Sequence, residues 1–155
     1  MAADVPATPP TSGDRDRDPT GRARQARPRD ALGRPLPYGS VGVEAVSEDP
    51  LPAAETLAVA RALVEQGRTF SAHEVLEARW KAGPENERDL WQGLAQLCVG
   101  VTHAARGNRV GANRLVERGV GRLDAYAGGD GPTYGLDLAA VVAWARGRVA
   151  SATGD

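Results

Sequence analysis

The chain has 155 residues, a formal net charge of -1, 41% hydrophobic residues and a single cysteine. A near-neutral balance gives no global field to draw in nucleic acid or an anionic membrane, and one cysteine excludes an internal disulfide framework or a cysteine-rich zinc site. No stretch approaches the roughly eighteen apolar residues of a spanning helix, and the start, Met1-Ala2-Ala3-Asp4-Val5-Pro6, lacks the basic and apolar regions of a secretory signal, so the expected location is cytoplasmic.

Eight of the eleven prolines lie at or before Pro50, amid mixed charge such as Asp14-Arg15-Asp16-Arg17-Asp18, whereas all three tryptophans follow. So little apolar surface cannot offset the entropy of ordering. Residues 1–50 therefore read as a disordered or extended arm, 51–150 as one all-helical domain and 151–155 as a disordered tail. Within the arm, Leu32 to Tyr38 reads either as an extended segment anchored on the domain by Leu36 and Tyr38 or as a plain linker, and both readings stay open.

Hydrophobic periodicity then predicts a compact bundle of about five helices and no strand of comparable strength. The first, about Ala53 to Gln66, puts Leu57, Ala60 and Val64 on one stripe and stops near Gly67. The second, about Ser71 to Ala82, has Ser71 as N-cap and Glu74 three residues on, the capping-box spacing, and ends at Gly83-Pro84. The third, about Glu85 to Arg106, carries no formal charge between Asp89 and Arg106 and so must be covered around most of its circumference. Gly107-Asn108 separates it from a fourth, about Arg109 to Tyr126, with Ala112, Leu115, Val116, Gly119 and Leu123 on one face. Gly128 to Pro132 is a flexible connection to a fifth helix capped by Asp137, with Leu138, Val141, Val142, Ala145 and Val149 inward.

A polar cluster stands out on this frame. On a wheel, Glu77 lies about 40° and Trp80 about 20° from His73, so the His73 and Glu77 side chains share the inward face one turn apart. On the third helix Gln92, Gln96 and His103 fall within about 40° of one another, opposite Leu90, Leu94, Leu97 and Val101. Two chemistries fit. His73, Glu77 and His103 are candidate metal ligands or catalytic acid and base, since a carboxylate beside an imidazole fixes its tautomer and raises its basicity. Alternatively His73 and Glu77 form a satisfied structural pair, and the glutamine stripe faces solvent, a small-molecule or peptide pocket, or a second subunit.

Other signals are weaker. His73-Glu74-Val75-Leu76-Glu77 begins like the zincin pattern H-E-x-x-H, but Glu77 stands where the second imidazole would be, and no second copy supports a di-metal bundle. Trp80, Trp91 and Trp144 read as core or groove walls, and Cys98 as an inert buried thiol. Arg22, Arg24, Arg27 and Arg29 are interleaved with other residues and lack aromatic neighbours, which argues against nucleic-acid binding. Without a P-loop, a nucleophile elbow or a dinucleotide fingerprint, no nucleotide cofactor is expected.

The runs Phe70-Ser71-Ala72-His73-Glu74-Val75-Leu76-Glu77-Ala78-Arg79-Trp80, Glu87-Arg88-Asp89-Leu90-Trp91-Gln92-Gly93-Leu94-Ala95-Gln96-Leu97 and His103-Ala104-Ala105-Arg106-Gly107-Asn108 together resemble the bacterial domain of unknown function family 309, over Leu57 to Trp144. The resemblance implies an all-helical fold whose matching positions are His73, Glu74, Glu77, Trp80, Gln92, Gly93, Gln96, His103, Gly107 and Asn108. It implies no activity. The expectation is a small helical binding or assembly module whose polar pocket uses His73, Glu74, Glu77, Trp80, Gln92, Gln96, His103 and Asn108. The alternative is a metal-dependent or acid-base hydrolase on the same cluster. A homo-oligomer through the glutamine face is a third reading, and the sequence specifies no ligand.

Overall fold

The computed structural model describes residue 34 and residues 50–153, so the expectations for the arm and for residues 154–155 fall outside it. Five α-helices follow one another: α1 (Ala53–Glu65), α2 (Thr69–Ala82), α3 (Arg88–Ala105), α4 (Arg109–Ala127) and α5 (Leu138–Thr153), with a short 3-10 turn at Glu85–Glu87 leading into α3. Among the described residues there is no strand, and no helix is long and apolar enough to cross a membrane. α1–α2 and α3–α4 are hairpins closed by the same device. Gly67 (φ +74°) and Gly107 (φ +85°) take left-handed backbone just past a helix end. The following N–H then reaches back five residues, Arg68 to Leu63 O and Asn108 to His103 O, each at 2.8 Å. Both end carbonyls are thereby satisfied, and the chain is turned back on itself.

The apolar composition of α3 decides the architecture. It packs against α2, α4 and α5, while α1 lies on α2. Leu90, Trp91 and Leu97 on α3 are wholly buried. α2 runs antiparallel to it: Thr69 and Thr102 share a hydrogen bond of 2.7 Å at one end, and Arg79 stacks 5.6 Å from the Trp91 ring at the other. Against α4 the approach is backbone to backbone. A Cβ at Gly119 would lie 2.8 Å from Gly93 O and 2.9 Å from Leu97 Cδ2, and one at Gly100 would lie 2.6 Å from Val116 Cγ2. Only glycine fits at these crossings.

Several expectations need correcting. In α1 the deepest residues are Thr56, Ala60 and Leu63, with Leu57 and Val64 flanking them. Thr56 tolerates burial because its hydroxyl bonds Leu51 O and Pro52 O. α2 starts at Thr69 rather than Ser71, and the capping box does not form: the N-cap is Arg68, without a side-chain cap. Ser71 Oγ instead accepts from Arg68 Nη2 at 3.3 Å, and the buried Thr69–Thr102 contact draws the extra residues into the helix. The expected single helix from Glu85 is a 3-10 turn followed by α3. Leu115 on α4 is half-exposed, whereas Val120 and Tyr126 join the buried face. The connection after Gly128 is pinned by Tyr126, whose OH donates to Pro132 O at 2.6 Å. α5 has its Asp137 cap, through Ala140 N–H at 3.1 Å, but continues through Thr153 into the expected tail, since Ser151 and Ala152 offer no helix breaker.

The glycine crossing makes a paired test. Gly119→Ala should cost about 1 to 3 kcal/mol by overpacking, a fall in melting temperature of roughly 5 to 20 °C. Gly121→Ala, where an added methyl meets nothing within 4 Å, should be neutral or stabilise by up to about 1 kcal/mol. Thermal unfolding by circular dichroism checks both, and equal effects at the two sites would contradict the close approach.

Candidate functional site

On α2 the inward face is made by Thr69, Ala72, Val75 and Leu76, which leaves His73 and Glu77 on its flank, half-buried at 18% and 32% side-chain exposure. The expectation that they point into the core is corrected. They do meet: His73 Nε2 lies 3.0 Å from Glu77 Oε2, and His73 Nδ1 lies 3.1 Å from Phe70 O. Both partners accept only, so the arrangement is fully satisfied with a hydrogen on each ring nitrogen. Lys81 Nζ lies 2.9 Å from the other carboxylate oxygen. The His73 hydrogen bond, opposed by burial and aided by Lys81, holds the Glu77 carboxyl down at about 2.

On α3 the half-exposed positions are Asp89, Gln92, Gln96, Val99 and His103, all on one line. The residues facing α4 (Gly93, Gly100) and those facing α2 (Trp91, Thr102) lie to either side of that line on a wheel, each about 100° from it. The stripe is thus the floor of a groove between α2 and α4. Arg88 stacks 5.8 Å from the Trp80 ring at one end, and Arg106 lies 5.9 Å from the Phe70 ring at the other, which brings the His73 flank of α2 to the same side. On the α4 wall Arg122 donates to Asp89 Oδ1 at 3.1 Å. Two buried polar atoms here have no hydrogen-bond partner, Gln96 Oε1 and Trp80 Nε1.

His103 is set up differently from His73. Asn108 Oδ1 caps α4 by accepting from Gly111 N–H at 3.0 Å, so its amide nitrogen faces His103 Nδ1, 3.1 Å away, and must donate. That places the His103 hydrogen on Nε2. Burial, helped by the Arg106 charge, lowers the His103 pKa, which favours the same neutral form.

The candidate residues therefore share one surface without forming one network. Among the described residues no hydrogen bond or ion pair joins His73 or Glu77 to Gln92, Gln96 or His103, and no three His, Cys, Asp or Glu side chains come together to hold a metal. Glu74 has a partner of its own. Cys98 is buried, and desolvation pushes its thiol up to about 12, which makes it inert.

A second polar cluster escaped the sequence reading. Glu87 is buried beside Trp91 and accepts from Trp91 Nε1 at 3.2 Å and Tyr134 OH at 2.6 Å, with Arg79 Nη2 3.9 Å away. Tyr134 sits at φ +53°, and its hydrogen bond to Glu87 comes first among the causes that raise its phenol pKa. The i, i+4 spacing of Glu87 and Trp91 was a visible signal, but the tyrosine, 47 residues from Glu87, was not.

Because Glu77 titrates at about 2 rather than at 4.5, its pairing adds stability above about pH 4.5 that is lost as the pH falls toward 2. Solvent screening of so open a pair holds the contribution to about 0.5 to 1 kcal/mol. Urea unfolding of the parent and Glu77→Gln should show a gap at pH 5.5 that narrows by pH 3. A gap that widens with acid would contradict the pairing.

A 57-residue stretch of the chain is 40% identical to "Uncharacterized protein YpuF" of Bacillus subtilis (strain 168), a match over 36% of this chain and 33% of that protein. The chain thus aligns with about a third of that relative's length. No solved structure matches. Residues 57–115, a shorter span than Leu57 to Trp144 but one that contains His73, Glu77, Gln92, Gln96, His103 and Asn108, match the family described as Domain of unknown function (DUF309).

Proposed function

We propose that the chain is a binding module whose site is the groove floored by Gln92, Gln96, Val99 and His103, with His73, Glu77 and Trp80 along its α2 wall. The observation that carries this reading is the pair of unpaired buried atoms, an acceptor on Gln96 and a donor on Trp80. Each such group costs about 1 to 3 kcal/mol if left unmet, and a position that bears this cost for the fold alone has little rationale. Both atoms are closed to solvent, so a ligand that offers a donor and an acceptor along the groove would relieve them as the Gln96 and Trp80 side chains turn outward to meet it. His73, Glu77 and Asn108 then act as positioning residues, the first two as a hydrogen-bonded pair and the third by orienting His103.

The acid-base hydrolase has less support. Both nitrogens of His73 face acceptors, and Nδ1 of His103 receives the Asn108 amide, so neither ring offers a free nitrogen poised as a base.

Stability distinguishes a ligand site from a structural position. If Gln96 serves binding, Gln96→Leu removes an unmet acceptor and should raise stability by about 1 kcal/mol, or some 4 to 8 °C in melting temperature. A fall of several degrees would show that the amide supports the fold and would remove the main support for the groove.

A further inference from the structure

Between α4 and α5 lies a cleft of about 210 Å³ whose walls include none of the groove residues. α4 brings Arg109, Asn113, Val116 and Glu117 to it, at the spacing of one helical face, and α5 brings Arg146, Val149 and Ala150. The floor is apolar, since Val116 and Val149 are buried, and the polar side chains stand exposed around it. Ala150 puts only a methyl group on the α5 side, which keeps the space open.

The rim holds donors that nothing uses. Arg146 reaches Glu117 through Nη2 alone, 3.1 Å from Oε2 and 3.3 Å from Oε1, so its Nε and Nη1 hydrogens stay available. The same contact holds the guanidinium in place, which lowers the cost of ordering it on a ligand. Arg109 has no hydrogen bond or ion pair among the described residues, and neither has the Asn113 amide. With two guanidiniums against one carboxylate, the rim carries a single net positive charge.

We infer that this cleft binds a small monocarboxylate with a short apolar tail, its carboxylate between Arg109 and Arg146 and its tail on Val116 and Val149. The site is separate from the groove and stands without it. Each feature narrows the ligand. The volume lies below the roughly 300 to 1,000 Å³ of pockets that take drug-sized molecules, so the occupant is smaller than those. A guanidinium fork meets a carboxylate with two parallel hydrogen bonds. A dianionic phosphate would leave one charge unbalanced beside Glu117, and a bare inorganic anion would gain nothing from the two valines.

The test is titration of the isotope-labelled full chain with straight-chain carboxylates from acetate to hexanoate, and with inorganic phosphate, followed residue by residue by NMR at constant ionic strength. Saturable shifts should centre on Arg109, Asn113, Val149 and Ala150. Affinity should rise roughly two- to fourfold with each added methylene until the cleft is full. Arg109→Gln removes the unpaired guanidinium and should weaken hexanoate about tenfold, while Ala150→Leu fills the space and should abolish the gain with chain length. Both positions are exposed, and circular dichroism checks that the variants fold. Arg148→Gln takes the same charge from α5 outside the cleft and should leave binding unchanged. Shifts that do not saturate, an affinity indifferent to chain length, phosphate bound more tightly than hexanoate, or an equal loss in Arg148→Gln would each overturn the inference. Shifts centred on Gln92, Gln96 and His103 would overturn it too, by placing the carboxylate in the groove.

Discussion

The structure depends on one close contact, the crossing of α3 and α4 at Gly93, Gly100 and Gly119. Without side chains between them, the two backbones approach until a single added methyl would strike a carbonyl. That closeness lets the Leu97 side chain lie over Gly119 and the Val116 side chain over Gly100, so that small surfaces bury large ones. It also fixes what remains uncovered. With α4 pressed on one side, α2 on another and α5 behind, the Gln92, Gln96, Val99 and His103 line is the one lengthwise strip of α3 left half-open. The groove follows from how the neutral helix is packed and needs no separate device.

Much of the fold was legible because α3 carries so little charge. A helix with no formal charge from Leu90 to Ala105 can only be central, and its neighbours follow from short glycine-bearing turns. The polar line on α3 was legible for the same reason, as amides and an imidazole stand out on an apolar helix. Depth was harder to read. Placing His73 and Glu77 on a wheel fixes their mutual spacing, which the 3.0 Å contact bears out, but not which arc of α2 faces inward. The arc centred on Ala72 won, since alanine and leucine bury at no polar cost and displace an ion pair to the rim. Ser71 misled in a similar way. Local capping chemistry favours it as a helix start, but the tertiary Thr69–Thr102 bond outweighs it.

The Glu87 cluster shows what sequence periodicity cannot reach. A carboxylate just ahead of a helix reads as a favourable charge at a positive dipole end. Here it is buried, held by the indole of Trp91, the phenol of Tyr134 and the guanidinium of Arg79, so that residues from α2, the α3 entry and the connection before α5 converge on one anion. Removing one of these partners would leave the buried carboxylate less well compensated by the two that remain. The cluster ties the loop at Tyr134 to the end of the bundle where Arg88 stacks on Trp80.

The two histidines carry the last step. They have the same side chain and lie on facing helices, yet their neighbours assign them opposite roles. His73 sits between a carbonyl and a carboxylate and is complete only as a double donor, while His103 has one nitrogen taken by the amide of the α4 cap. A catalytic base needs a ring nitrogen that a substrate proton can reach; both His73 nitrogens face acceptors, and His103 Nδ1 already accepts the Asn108 amide, which leaves its Nε2–H as a donor. What stays unmet along this side of α2 and α3 is neutral hydrogen-bonding capacity, at Gln96 and Trp80. An unmet neutral donor and acceptor supports the proposed binding role more than it supports proton transfer.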